Sequence, residues 1–188
     1  VRLVLATRNV HKQREFARLL RRHDIELLPE DVALPPEVGD TFAENALAKA
    51  RVAAALGAPA FADDSGIEAA ALDGAPGIRS ARYAGPTATD AENVEKLRRQ
   101  APSGSPLAYV CVLAYVDPGA GIERTFEGRC TGSLAPQPRG ERGFGYDPVF
   151  LPDARLDGRT MAELSDVEKD AISHRGRAAR SLDRWLAG

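Results

Sequence analysis

Apolar and polar positions follow one another in blocks whose spacing switches between that of strands and that of helices. Leu3-Val4-Leu5-Ala6 is a short continuous apolar run and reads as a buried first strand. After Thr7-Arg8-Asn9-Val10-His11-Lys12, the positions Phe16, Leu19 and Leu20 keep the i, i+3, i+4 spacing of an amphipathic helix. Ile25 to Leu28 reads as a second strand, and residues 29–39, which hold Pro29, Pro35 and Pro36, as a loop. Thr41 and Glu44 match a capping box that opens a helix to about Leu56, with Gly57 in the stop position. A small apolar run, Ala58 to Ala62, then leads into Asp63-Asp64-Ser65-Gly66 and is expected to end there, in a turn or an open cleft.

Ile67 to Leu72 is a further short apolar segment, residues 74–77 a turn, and residues 80–85 a loop. Thr89 and Glu92 form a second capping box, for a helix to about Gln100. Leu107 to Val116 is the longest strand-like run, and Ile122 to Leu134 is expected to return beside it as an antiparallel partner. Residues 136–143 are irregular and Val149-Phe150 is a short strand. Ser165 and Glu168 repeat the capping-box spacing, and a last helix from Ser173 places Leu182, Trp185 and Leu186 toward a core.

Composition changes this picture mainly by exclusion. A chain of 188 residues, 44% hydrophobic and 28% charged, suits one domain, or two lobes sharing one sheet. No apolar run approaches the roughly 20 residues that span a bilayer, and no signal peptide is read before the first strand. Cys111 and Cys130 lack metal-ligand spacing and are expected to be buried, so a reduced, cytoplasmic protein is the default. The net charge of −2, without a basic stripe, excludes binding to double-stranded nucleic acid as the main function. Any anionic ligand is therefore held by local groups. Only Lys12, Lys49, Lys96 and Lys169 among 25 basic residues are lysine, which marks each as a place for a compact ammonium.

Candidate chemistry gathers at five places. Asp63 and Asp64 are adjacent acids that call for a cation or an open cleft, and they point in opposite directions if they lie on a strand. The strand–loop–helix passage at Thr7–Lys12 is the arrangement that offers backbone N–H groups and a positive dipole end to an anion. Its alternative is a plain helix start, capped by Asn9 with Lys12 solvated. Glu44 either caps its helix or projects into a cleft as a metal ligand, two roles that compete for one carboxylate. Gly143-Phe144-Gly145-Tyr146-Asp147 lets the backbone come close to a flat ligand, with a ring to stack on it. His174 and Arg175 sit at a helix start, where cations oppose the macrodipole, so an acceptor nearby is expected.

The collinear set Thr7-x-Asn9-x-x-Lys12, Thr41-Phe42-x-Glu44-Asn45-Ala46, Ala62-Asp63-Asp64-Ser65-Gly66, Gly74-Ala75-Pro76-Gly77, Ser80-Ala81-Arg82-Tyr83, Gly143-Phe144-Gly145-Tyr146-Asp147-Pro148 and Ser173-His174-Arg175-Gly176 resembles the inosine/xanthosine triphosphate pyrophosphatase family. The resemblance implies an α/β fold, with a long twisted mixed sheet flanked by helices and two lobes around a central substrate cleft. It treats residues 1–188 as one nucleoside-triphosphate pyrophosphatase domain, in a homodimer. It implies Mg2+-dependent hydrolysis of ITP, dITP and XTP to the monophosphate and pyrophosphate. By motif, Glu44 and Asp64 hold the metal and Asp64 is the general base. Thr7, Arg8, Asn9, Val10, His11 and Lys12 bind the triphosphate with Lys49 nearby, and Ser65 contacts substrate. Phe144, Gly145, Tyr146, Asp147, Lys169, His174 and Arg175 surround the base. Arg8 departs from the family pattern, where glycine is common, so its loop takes another path or its guanidinium points to solvent; Arg142 is a second, tolerated departure. A pyrophosphatase of different base preference and a non-catalytic nucleotide-binding module are the competing readings.

Overall fold

Strand β1 (Arg2–Leu5) buries Leu3, Val4 and Leu5 and delivers the chain to helix α1 (Val10–Leu19). In the computed structural model, which describes residues 1–188, β1 pairs in parallel with β2 (Asp24–Leu27) and with β3 (Ala60–Ala69). The remaining elements are α2 (Phe42–Ala54), α3 (Asp90–Gln100), β4 (Pro106–Asp117), β5 (Ile122–Leu134), β6 (Phe150–Pro152), α4 (Asp166–Ile172) and α5 (His174–Leu186). Six strands form one sheet in the order β2-β1-β3-β4-β5-β6, with β5 and β6 antiparallel, so the fold is α/β with a mixed sheet. No helix is long and apolar enough to cross a membrane.

The chain divides into two compact units, and β3, β4 and β5 each contribute to both. The first unit comprises residues 1–64, 111–128 and 175–188. Side chains along a strand alternate between its faces, and β1 shows this directly. Leu3 and Leu5 join Phe16, Phe61, Cys111 and Leu182 in one cluster, whereas Val4 packs with Ala46, Ala50, Ala53 and Ala62 in another. The second unit comprises residues 65–110 and 129–174, around Ile67, Leu97, Tyr109, Phe150 and Met161.

Local signals placed the helices. Asn9 caps α1, and capping boxes form at Thr41/Glu44, Thr89/Glu92 and Ser165/Glu168. Gly57, at φ +88°, takes the left-handed conformation that stops the chain after α2. The segment at residues 80–85 is not wholly a loop: Gly77–Arg82 is a 3-10 helix, and the buried Ser80 hydroxyl accepts from Ile67 N at 2.8 Å. Val149 likewise ends a 3-10 turn, and β6 starts one residue later.

The largest departure from expectation is at Asp63-Asp64. β3 does not end at the acids but runs through Asp63, Asp64, Ser65 and Gly66 to Ala69. Both carboxylates are buried, Asp63 1% and Asp64 5% exposed. A strand can carry paired acids only if other elements bring partners to them. Here they do so on both sides.

Candidate functional site

In the first unit, Asp63 turns toward Lys12, whose ammonium stands 2.8 Å from its Oδ2, and toward Arg175, whose Nε is 3.5 Å from the same atom. Arg175 also binds the buried Glu15 of α1 at 2.5 Å. This is the acceptor that a cationic helix start required, and it engages the guanidinium with two carboxylates. Burial alone raises the Asp63 pKa; Lys12, then Arg175 and Lys49, more than reverse that, so its carboxyl is held well below the usual carboxylate range.

Asp64 faces different partners, as neighbours on a strand must. Its Oδ2 accepts from Asn45 Nδ2 at 3.0 Å, and its Oδ1 lies 3.6 Å from Lys49 Nζ. Lys49 is buried and binds Glu37 Oε1 more closely, at 2.6 Å. The ammonium is thus shared unequally between two acids. Burial lowers the Lys49 pKa, but Asp63, Asp64 and Glu37 outweigh it and leave the ammonium above the ordinary lysine value. For Asp64 the balance falls the other way. Burial raises its pKa, Glu37 adds to that, and Lys49 and the Asn45 hydrogen bond compensate only in part. The result is a buried carboxylate made more basic than usual, the property a general base needs.

The start of α1 is partly used by its own cap. Asn9 Oδ1 accepts from His11 N at 2.9 Å and Lys12 N at 3.1 Å, two of the N–H groups that an anion cradle would offer. A phosphate that takes the His11 and Lys12 N–H groups displaces the Asn9 oxygen. Thr7 is buried and its hydroxyl accepts from Asn9 N, while Val10 and His11 lie exposed on the first turn. Lys12 is not solvated: its side chain is 14% exposed and committed to Asp63. Arg8 does not point to solvent either. Its Nη1 donates to Leu28 O at 2.7 Å, and its Nη2 to Pro29 O and Val32 O, both at 2.6 Å.

Glu44 is exposed, and its Oε2 accepts from Asp40 N at 2.7 Å and Thr41 N at 3.2 Å, completing the capping box. The capping role therefore has the geometry, and Glu37 is the acid brought to Asp64 through Lys49. A glutamate in a proline-rich loop carries no local signature, so Glu37 is not legible from the sequence alone. Carboxylate oxygens are the hard donors that magnesium takes, and such an ion is usually held by one or two carboxylates together with substrate phosphates. No group of three or more His, Cys, Asp or Glu is placed to hold an ion alone. Asp64 and Glu37 carry donors of that kind, with the Lys49 ammonium standing between them. We expect Thr41→Ala and Glu44→Gln each to lower stability by about 1 kcal/mol and to leave metal dependence unchanged. Urea unfolding beside a magnesium titration checks this, and a raised metal requirement in Glu44→Gln alone would make Glu44 a metal ligand.

The second unit assembles the aromatic and polar set. Asp147 is buried; its Oδ1 accepts from Tyr109 OH at 3.0 Å, and its Oδ2 from Phe144 N at 3.0 Å and Lys169 Nζ at 2.7 Å. Lys169 Nζ also lies 5.1 Å from the Phe144 ring centroid. Gly143 has φ +73°, and a Cβ there would come within 2.0 Å of Asp147 Oδ2, so the loop closes only around glycine. Gly145 N donates to Asp90 Oδ2 at 2.7 Å, and Tyr146 buries its hydroxyl against Ser80 O at 2.7 Å. His174 stacks on Tyr109 with ring centroids 4.5 Å apart and planes 7° from parallel. Tyr109 was legible in the sequence only as a strand residue. Ser65 lies half-buried on β3, immediately after Asp64. His174 thus belongs to the second unit and Arg175 to the first.

Comparisons agree on one family. The model of the Ham1 family matches residues 3–185. A protein of Symbiobacterium thermophilum called dITP/XTP pyrophosphatase is 49% identical over 194 residues, covering 99% of this chain and 95% of its own. One of the same name from Frankia alni is 47% identical over 201 residues, covering 99% and 97%. Among solved structures, a HAM1 protein from Coxiella burnetii superposes with a TM-score of 0.87 at 42% identity, covering all of this chain and 98% of that one.

Proposed function

The chain belongs to the Ham1 family, and from that premise we propose that it hydrolyses nonstandard purine nucleoside triphosphates, ITP, dITP and XTP, to the monophosphate and pyrophosphate. The observation that carries the reading is Asp64, a buried carboxylate of raised basicity held by Asn45 beside a shared ammonium. Asp64 accepts a proton from the attacking water as the new P–O bond forms at the α-phosphorus. The bond to the bridging oxygen breaks, and pyrophosphate leaves with its electron pair. Lys12 and Lys49 neutralise charge on the leaving group. Asp64 and Glu37, with phosphate oxygens, are the proposed magnesium ligands; the ion supplies charge neutralisation at the reacting phosphate. Glu44 caps α2 in this reading.

Base recognition falls to the second unit. Phe144 offers a ring for stacking, and Lys169 and His174 offer donors suited to a 6-oxo purine. Adenine presents a donor at C6 and would leave such groups unmatched, a penalty of roughly 1–3 kcal/mol. Arg175 is bound by Glu15 and Asp63, so its part is to orient Asp63 and the start of α5. The whole chain acts as one catalytic domain, in a cytoplasmic homodimer; sedimentation at assay concentration would return twice the chain mass. Steady-state assays over ITP, dITP, XTP, GTP, ATP and dTTP, with and without Mg2+, test the activity. Turnover is expected for the first three, at least tenfold above ATP, and only with the metal. Equal turnover of ATP would refute the base preference, and turnover of none would refute the function.

A further inference from the structure

One guanidinium does unusual work in the first unit. Arg8 follows Thr7 directly, and its fork spans to the loop after β2, where it binds the carbonyls of Leu28, Pro29 and Val32. Its Nη2 also lies 3.4 Å from Glu30 O. That loop has little regular pairing of its own: Val32 N reaches Pro29 O, Val38 N reaches Pro36 O, and Gly39 N is met by the Asn45 side chain. Prolines at 29, 35 and 36 have no N–H to give. Further along the same loop, Glu37 binds Lys49 at 2.6 Å, and Lys49 stands 3.6 Å from Asp64.

We propose that Arg8 is a positioning residue, a tether that fixes the loop of residues 28–39 and thereby holds Glu37 against Lys49 beside Asp64. Charge-assisted bonds from a planar fork are stronger and more directional than neutral ones. Arginine suits the task because a single side chain satisfies several carbonyls that face the same point. An ammonium is a compact donor without the fork, so lysine at this position replaces only part of the tether. Arg8 sits at the triphosphate loop in sequence yet spends its guanidinium on protein carbonyls, so its loss acts on Glu37 and not on a phosphate contact. The catalytic consequence, though not the tether itself, rests on the function proposed above.

Hydrogen exchange of the apo protein and magnesium activation, both measured on Arg8→Ala and Arg8→Lys, test this. In Arg8→Ala, exchange over residues 28–40 is expected to accelerate at least tenfold, while peptides of α3 in the other unit stay within twofold. The magnesium concentration for half-maximal rate rises about five- to tenfold, and the nucleotide KM changes by less than twofold; lysine restores part of each effect. Calorimetric Mn2+ binding in the presence of a nonhydrolysable nucleotide analogue weakens in parallel. Unchanged exchange over residues 28–40 in both variants would overturn the tether. A tenfold rise in nucleotide KM without altered exchange would make Arg8 a substrate contact instead. If the wild type turns over no nucleotide, the exchange result still decides the tether, so the two readings fail separately.

Discussion

Asp64→Asn is expected to lower kcat by about 10²- to 10⁴-fold while nucleotide affinity stays within a few-fold, because the proton acceptor is lost and the amide oxygen still offers the ion a neutral ligand. Asparagine keeps the shape and an oxygen that accepts from Asn45, as Asp64 Oδ2 does at 3.0 Å. The pH dependence follows from the direction of the shift. Burial, then Glu37, lift the Asp64 pKa above the ordinary value, with Lys49 and Asn45 opposing. The ionised form is the active one, so the acid limb of kcat/KM falls above the ordinary aspartate value of about 4. The same shift has a stability sign. A carboxyl that binds its proton more tightly when folded stabilises the fold at low pH and costs stability once ionised. The substitution should therefore leave the unfolding temperature at neutral pH unchanged or raised. Measured kcat, equilibrium nucleotide binding and thermal unfolding together check this. Activity within tenfold of the wild type would remove Asp64 as base.

Its neighbour gives the opposite result. Asp63→Asn is expected to cost about 3–5 kcal/mol of stability, since it leaves Lys12 and the buried Arg175 facing no carboxylate at this position. Burial pushes the Asp63 pKa up, and Lys12, Arg175 and Lys49 carry it well below the usual range. A depressed carboxyl contributes stability above its unfolded value of about 4 and loses it as pH falls toward the folded one. The wild type should thus weaken in acid more steeply than the variant, and the two unfolding free energies should converge. Urea unfolding at neutral and acid pH measures both. A loss below about 1 kcal/mol at neutral pH would show that the Lys12–Asp63–Arg175 contacts contribute little. Adjacent acids on one strand, one supporting the fold and the other loaded against it, is the division of labour expected where function has a stability cost.

What could be read from the residues depended on whether the decisive partner was local. Capping boxes at Thr41, Thr89 and Ser165 were legible because the side chain and its N–H groups lie three residues apart. From the sequence alone β3 is expected to end at Asp63, because the groups that let it continue come from elsewhere: Lys12 from α1, Arg175 from α5, Asn45 and Lys49 from α2. The aromatic loop and Lys169 were found as site candidates, but Asp147 as the hub that receives Tyr109, Phe144 and Lys169 was not. Glu37 and the destination of the Arg8 guanidinium share one cause of concealment. Each acts across 12 or more residues, Glu37 to Lys49 and Arg8 to Leu28, from a loop or loop edge with no periodic pattern.

The position of bond cleavage tests the central claim most directly. Phosphorus NMR of XTP or dITP incubated with the protein and Mg2+ should show one pyrophosphate and one nucleoside monophosphate per substrate consumed, with no orthophosphate. Nucleoside diphosphate with orthophosphate would place the attack at the γ-phosphorus and contradict the account.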